Sequence, residues 1–196
     1  MNVASFQKDI LIGTILGDAY LQKTGEKNAR LRLEHGAKQK EYLFWKVSNL
    51  QQFFQGKPKY LERVHPRTHK TYMYWRHQSQ TTPFLGKLRK MFYPDGKKVI
   101  PEDIEKFLNA RSIAVWYMDD GYYYQRDRCA YIYLGNVTRE AAERISHVFN
   151  KKFQLATRVL AKKKGFAIYF PPSEVIKLKR LLDHHILNQF KYKLPL

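Results

Sequence analysis

Apolar and polar positions along the chain form a pattern that occurs twice. Leu11, Ile12, Ile15 and Leu16 make an apolar run broken by Gly13 and Gly17 and ended by Asp18. Ile113, Ala114, Val115, Trp116, Tyr117 and Met118 make a second, ended by Asp119, Asp120 and Gly121. Asp18 and Asp120 stand 102 positions apart (120 − 18), about half of the 196 residues. A fixed offset of this size is the mark of an internal repeat, and the stretches after each acid are alike.

After Asp18, Arg30, Arg32 and Glu34 alternate with Leu31 and Leu33; after Asp120, Tyr131 and Tyr133 alternate with Ala130, Ile132 and Leu134. Period two predicts strands with one buried face. Each follows a short strand and a turn, over residues 24–28 and around Asp127. Helical spacing comes next, at Leu43, Val47, Leu50 and Phe54 and again at Ala142, Ile145, Phe149 and Phe153. Thr138 suits the N-cap of the second helix, with Glu140 in its first turn. A second hairpin is expected in each half: 59–65 with 72–78, and 155–161 with 166–170. The turns fall at 66–70 and at 162–165. Basic helices close the halves, Phe84 to Phe92 behind Thr82 and Pro83, and Glu174 to Ile186 behind Ser173. The expected fold class is α/β of the α+β kind, two pseudo-symmetric αββαββα repeats over residues 1–93 and 110–196. Residues 94–109 form the linker, opening on turn chemistry and a charge run.

Charge narrows the partner. Lys and Arg number 36 against 17 Asp and Glu, a net +19, and hydrophobic residues make up 44% of a globular chain. An excess this large repels itself and points to a polyanion, nucleic acid first. No apolar run of 18 residues suggests a membrane span. The N-terminal apolar run is short and interrupted, so we expect no secretion. An organelle (mitochondrion or chloroplast) or a prokaryotic cytoplasm is favoured. Cys129 stands alone, which excludes an internal disulfide and gives no cysteine cluster for zinc.

Gly13 and Gly17 are four apart, so one helix face is nearly bare and lets another helix approach closely. The repeat offers Ser112 to Asp119 as the partner, through Ala114 and Val115. If the two helices run side by side in one direction, Asp18 and Asp120 emerge together. Two close carboxylates raise each other's pKa unless a cation lies between them, and the helix C-termini add negative charge. Such an oxygen-rich centre suits Mg²⁺. For either acid alone, an ordinary polar helix end is the plain alternative; the repeat relation argues against it for both.

The segments Leu11 to Ala19 and Ile113 to Gly121 resemble the paired motifs of LAGLIDADG homing endonucleases. The likeness is to the branch reading Leu-Gly-Asp-Ala and Met-Asp-Asp-Gly. Lys97, Lys98, Val99, Ile100 and Pro101, and the tail Tyr192, Lys193, Leu194 and Pro195, resemble two further blocks of that branch. Four blocks in order cover nearly the whole chain. The resemblance implies that Asp18 and Asp120 bind the metal and that Lys98 and Lys193 are active-site lysines. A lysine beside a scissile phosphate offsets developing charge or orients water. Asp119 occupies a position where the family is small, and no catalytic role is assigned to it.

The resemblance also implies a DNA-binding saddle, with one antiparallel sheet per half in the major groove. Alternation then nominates Arg30, Arg32, Tyr72, Tyr74, Arg76 and Gln78 in the first half. The second-half set is Gln125, Arg126, Tyr131, Tyr133, Arg158, Lys162, Lys163 and Lys164. Met73 and Trp75 opposite Tyr72 and Tyr74 leave the strand phase open. The implied activity is that of a monomeric Mg²⁺-dependent nuclease. It breaks both strands of an asymmetric double-stranded DNA target across the minor groove and leaves short 3′ overhangs. Three other readings remain: a splicing cofactor that binds intron RNA, a DNA-binding regulator without catalysis, and a histidine metal site at His65 and His69 or at His184 and His185.

Overall fold

The computed structural model describes residues 3–195. Contacts divide the chain into two units. One holds the chain through Leu11 together with Asp18–Met91; the other holds Ile12–Gly17 together with everything from Phe92 on. The first motif helix, α1 (Ser5–Leu16), is therefore shared by both.

In the first unit, β1 (Tyr20–Lys23) and β2 (Ala29–Gly36) form a hairpin, and α2 (Lys40–Asn49) follows. β3 (Lys59–Val64), β4 (Thr71–Gln78) and α3 (Pro83–Phe92) complete it. The sheet is antiparallel throughout, in the order β1-β2-β4-β3. β2 alternates buried and half-buried residues along its length, with Ala29, Leu31, Leu33 and His35 inward. Trp75 of β4 turns to the helix side, where its ring meets Phe44 edge-on at 5.6 Å. That contact settles the phase of β4.

The second unit repeats the order. α4 (Ala110–Asp120) leads into β5 (Gly121–Tyr124) and β6 (Cys129–Gly135), then α5 (Arg139–Phe153). β7 (Arg158–Lys162), β8 (Gly165–Phe170) and α6 (Pro172–Leu182) follow. Its sheet runs β5-β6-β8-β7, again antiparallel. The αββαββα repeat expected from the sequence is present in both halves. Asn109 caps α4 in a reciprocal box with Ser112, and Thr138 caps α5 by accepting from Ala141 N–H at 3.2 Å. The 94–109 stretch is not bare linker, since Ile104–Lys106 forms a 3₁₀ turn with Ile104 fully buried.

Two expected boundaries move by three residues or more. The strand expected from Leu155 starts at Arg158. Before it, Ala156 N–H donates to Glu174 Oε2 (3.1 Å) and Thr157 N–H to Asn150 Oδ1 (3.3 Å), so side chains satisfy this backbone and no ladder is needed. The helix expected to reach Ile186 stops at Leu182. There the Ile186 N–H returns to Leu182 O and the chain turns out. Among the described residues, no helix is long and apolar enough to cross a membrane.

Candidate active site and nucleic-acid interface

The bare face of α1 does what its two glycines require. A Cβ on Gly13 would collide with the Ser112 carbonyl and lie 2.7 Å from Val115 Cβ. One on Gly17 would lie 2.7 Å from Asp119 Cγ. The facing stripe on α4 is thus Ser112, Val115 and Asp119, at helical spacing. Val115 is where the sequence placed it, whereas Ala114 is not among the atoms that would meet either Cβ. Asp119, to which the sequence gave no task, seats its carboxylate against Gly17, the residue before Asp18.

Each motif helix ends under a lysine. Lys98 Nζ donates to Leu16 O (2.8 Å) and Gly17 O (2.7 Å), the end of α1. Lys193 Nζ donates to Met118 O (2.7 Å) and Asp119 O (3.3 Å), the end of α4. The equivalence is residue for residue: Leu16 and Met118 precede their aspartates by two, Gly17 and Asp119 by one. Carbonyls at a helix C-terminus carry partial negative charge and lack intrahelical partners, so an ammonium there is doubly favoured. Tyr117 adds a further tie, donating its hydroxyl to Lys193 O at 2.7 Å. Burial, with lesser help from Tyr123 and Cys129, pushes the Tyr117 phenol well above its usual range, so it remains a donor.

Asp120 lines a cavity of about 650 Å³ together with Lys98, Tyr133, Asn136 and Lys162. Asp18 follows α1 with its side chain 46% exposed, and its Oδ2 lies 3.9 Å from His35 Nδ1. His35 also approaches Gln39 Oε1 at 3.2 Å through Nδ1 and Lys46 Nζ at 3.2 Å through Nε2. Lys46 is fully buried and lies 4.3 Å from the Tyr42 ring centroid. Neither His35 nor Lys46 was singled out from the sequence. The available signal was parity: His35 continues the buried set Ala29, Leu31, Leu33, where a polar residue needs a partner. For a metal, both motif acids offer carboxylate oxygens at solvent-accessible helix ends, which fits a hard divalent cation. His65 Nδ1 accepts from Arg67 N–H and Thr68 N–H at 3.2 Å each and closes the β3–β4 turn, and among the described residues no cluster of metal-ligating side chains includes it.

The open face of the first sheet carries the nominated residues. Arg32 pairs with Gln78, Glu34 with Arg76, and Gly36 with Tyr74, so all of these share one side. Arg30 bonds Gln22 Oε1 on β1 at 2.9 Å, and Tyr72 is 52% exposed opposite Arg63. The sequence missed the centre of this face. Glu34 takes bonds from Arg32, from Arg76 (2.7 Å) and from Arg63 (3.3 Å), one arginine from each of three strands. Arg63 and Arg76 also lie 5.0 and 5.3 Å from the Tyr74 ring. Partial burial alone would raise the Glu34 carboxyl, but the guanidiniums of Arg32 and Arg76 outweigh it and hold it below its usual range.

The second sheet presents tyrosines instead. Tyr131 pairs with Tyr122 on one side and Tyr169 on the other, and Arg158 pairs with Tyr169. Lys162 Nζ sits 4.3 Å from the Tyr131 ring, a cation–π contact. Tyr133 and Tyr124 join their hydroxyls at 3.2 Å. Burial, with the Cys129 thiol and Tyr169 next, pushes Tyr131 up to about 12, and Tyr133 rises as well. Both phenols remain protonated donors at neutral pH. Lys163 and Lys164 form the exposed turn between β7 and β8; Gln125 and Arg126 form that between β5 and β6, where Arg126 meets Asp127 at 3.1 Å.

A family model described as the LAGLIDADG DNA endonuclease family matches residues 8–178. The probable intron-encoded endonuclease 1 of Wickerhamomyces canadensis is 27% identical over 198 residues, covering 98% of this chain and 85% of its own. The solved structure of the homing endonuclease I-WcaI bound to its DNA recognition sequence is similar at a TM-score of 0.92 and 27% identity. That match covers 100% of this chain and 88% of the other. I-DmoI in complex with DNA and Mn is similar at 0.56 and 16% identity, covering 91% and 96%, and bears on the fold alone.

Proposed function

The chain belongs to the LAGLIDADG DNA endonuclease family, and from that premise we propose that it is a homing endonuclease. It hydrolyses both strands of a long double-stranded DNA site with the help of Mg²⁺. The observation that carries this reading is the matched pair of helix ends: each closes on a carboxylate, and each has a lysine fixed to its last carbonyls.

Phosphodiester hydrolysis needs an activated water, a leaving oxygen that is neutralised, and a phosphate held in line. A divalent ion, when bound, lowers the pKa of its water and stabilises the departing oxygen. Asp18 and Asp120 would each hold such an ion for one strand. Lys98 and Lys193, fixed by the helix ends, hold positive charge where the phosphorane gathers negative charge, without reorganising during reaction. The sheets bring the duplex. Arginines on the first sheet suit guanine edges, lysines suit phosphates, and the tyrosine face offers hydroxyl donors and flat rings. Because the first face is arginine-rich and the second tyrosine-rich, the two halves read different sequences. The target is asymmetric, and the cut, made across the minor groove, leaves short 3′ overhangs.

The test uses DNA that joins the two sequences flanking the gene, since a homing target spans its own insertion point. The wild type is expected to linearise a plasmid carrying this junction in Mg²⁺. Asp18→Asn and Asp120→Asn keep shape but lose the charge that holds the ion. Metal catalysis contributes several kcal/mol, and each 1.36 kcal/mol is tenfold, so either change cuts the rate roughly a thousandfold. Gel-shift affinity in Ca²⁺ is retained or rises, because an acid beside the phosphates is gone. Wild-type double-strand cutting by either variant returns that aspartate to an ordinary helix end. Binding of intron RNA without DNA cleavage by the wild type overturns the reading in favour of a splicing cofactor.

A further inference from the structure

The open face of the second sheet has an unusual composition for a surface that meets a polyanion. Its opposite side is plain core: Ala130, Ile132, Ile168 and Phe170 are fully buried, and Phe170 meets Phe149 of α5 edge-on at 5.1 Å. Residues directly opposite in an antiparallel pair point the same way, so the register gives the open face. β5 contributes Tyr122 and Tyr124, β6 Cys129, Tyr131 and Tyr133, and β8 Ala167 and Tyr169. Among the described residues, these three strands place no charged and no amide side chain on that face. The rings hold one another. Tyr124 lies 4.5 Å from Tyr122 and 5.3 Å from Tyr131, edge-on to both, and Tyr131 lies 5.2 Å from Tyr169. The Tyr124 and Tyr133 hydroxyls are engaged with each other at 3.2 Å. Charge returns at the border, with Arg158 and Lys162 on β7 and Lys163 and Lys164 in the turn that follows.

We propose that this tyrosine face selects thymine, by contact with the C5-methyl groups of a T·A-rich half-site in the major groove. The inference rests on the proposed function in taking the open sheet faces as those that meet DNA. A G·C pair presents the O6 and N7 acceptors of guanine and the N4 donor of cytosine, and Arg, Lys, Glu or Asp reads it. A face without such groups strips water from those edges and returns no bond, which costs affinity at each G·C pair. A T·A pair offers a methyl group, for which an apolar surface is the matching contact. Its adenine edge keeps one donor and one acceptor, and a single phenol hydroxyl can serve as either partner. Tyrosines supply large contact area at low entropic cost, the more so when each ring is already held by its neighbours. The border cations meet phosphates and position the groove without reading it. The first sheet is equipped in the opposite way, with Arg32, Arg76 and Gln78 on its open face, groups that match guanine and adenine bidentately. The two halves of the target then differ in kind: one is read by hydrogen bonds, the other by methyl contact.

The test deletes methyl groups from the DNA. The wild-type full chain first selects a target from random duplexes in Ca²⁺. Each thymine of that target is then replaced in turn by deoxyuridine, which pairs alike and lacks only the methyl. On one side of the target's centre, wild-type affinity is expected to fall about fourfold for each methyl in contact, the value of one buried apolar carbon. On the other side it should not change. Tyr122→Ala and Tyr124→Ala truncate the two most exposed rings of the face, at 48% and 39%. Each should lose the response to deoxyuridine at one or more of the sensitive thymines. Tyr122→Phe and Tyr124→Phe keep the rings and should keep the response, as should Arg76→Ala on the first sheet. Affinity indifferent to deoxyuridine, an equal response on both sides, or a response that both alanine variants keep in full overturns the proposal. The wild-type measurement needs no variant to fold. A target cut in Mg²⁺ without any methyl effect sinks this proposal alone. One that is bound with the methyl effect and left uncut sinks the nuclease reading alone, and failure to select any duplex overturns both.

Discussion

Glu34 is an acid set among three arginines on a face suited to meeting a polyanion. Its value there is order: a guanidinium bonded to a fixed carboxylate loses less freedom on reaching a base than one that is loose. Because the arginines hold its pKa down, Glu34 binds fewer protons folded than unfolded, where about 4.3 is usual. Its contribution is therefore fully present above that value and is lost as pH falls through the lowered folded pKa. Glu34→Gln should cost about 1 kcal/mol at pH 7, a drop of about 2–4 °C in Tm for a chain of this size. The difference should shrink by pH 3. Thermal melts at the two pH values check this, and an equal difference at both sinks it. At this scale a residue's place in the fold was readable where it stood in a repeat: Asp18 follows α1 and Asp120 ends α4, as their matching positions imply. It was unreadable where meaning came from neighbours far along the chain. Arg63 and Arg76 reach Glu34 from 29 and 42 residues away, and Lys46 reaches His35 across 11.

The ends of α1 and α4 behave as elements because each is finished by a lysine from a distant segment, 82 and 75 residues off. Lys98 and Lys193 are then structural caps as well as candidate catalytic groups, and the two roles separate by measurement. Lys193→Met strips a buried donor from two carbonyls and should lower Tm by a few degrees, given about 1 kcal/mol for each lost bond. Lys98→Met, at a half-buried site, should lower it less. On the proposed mechanism both should slow cleavage while target binding in Ca²⁺ persists, since each would act on one phosphate among many contacts. If either variant melts lower but cleaves at the wild-type rate, that lysine is a cap and nothing more. The elements were the most legible level of the sequence, because period two and period 3.6 survive any tertiary arrangement. The misplaced edges have local causes. Gly165, at φ +121°, permits a two-residue turn that draws Lys162 into β7. Gln154, at φ 54°, ends α5 left-handed and delays β7 to Arg158.

For the whole molecule the governing quantity is a net charge of +19 on 196 residues. Charge of this density costs stability by self-repulsion, and it is compensated only when the polyanion is bound. The open faces of the two sheets and the β7–β8 turn carry much of it, as Arg30, Arg32, Arg63, Arg76, Arg158 and the lysines Lys162 to Lys164. Some of those charges are already engaged, since Glu34 holds three of the arginines. Internal pairing of this kind lowers the number of phosphates neutralised below what charge alone would give. Lysines in turns remain the plain phosphate contacts, since a lysine is a point charge on a flexible stem. If about ten phosphates are neutralised, the logarithm of target affinity should fall against the logarithm of salt with a slope near −9. Lys163→Ala with Lys164→Ala removes two such contacts and should flatten the slope by about 2, weakening specific and random duplexes alike. Arg76→Ala removes a group proposed to read a base, so it should weaken the specific duplex more than the random one. Fluorescence anisotropy on both duplexes, from about 50 to 300 mM salt, measures all three. A wild-type slope shallower than about −3 would mean that the basic faces do not follow the DNA backbone, and the duplex would have to be held elsewhere.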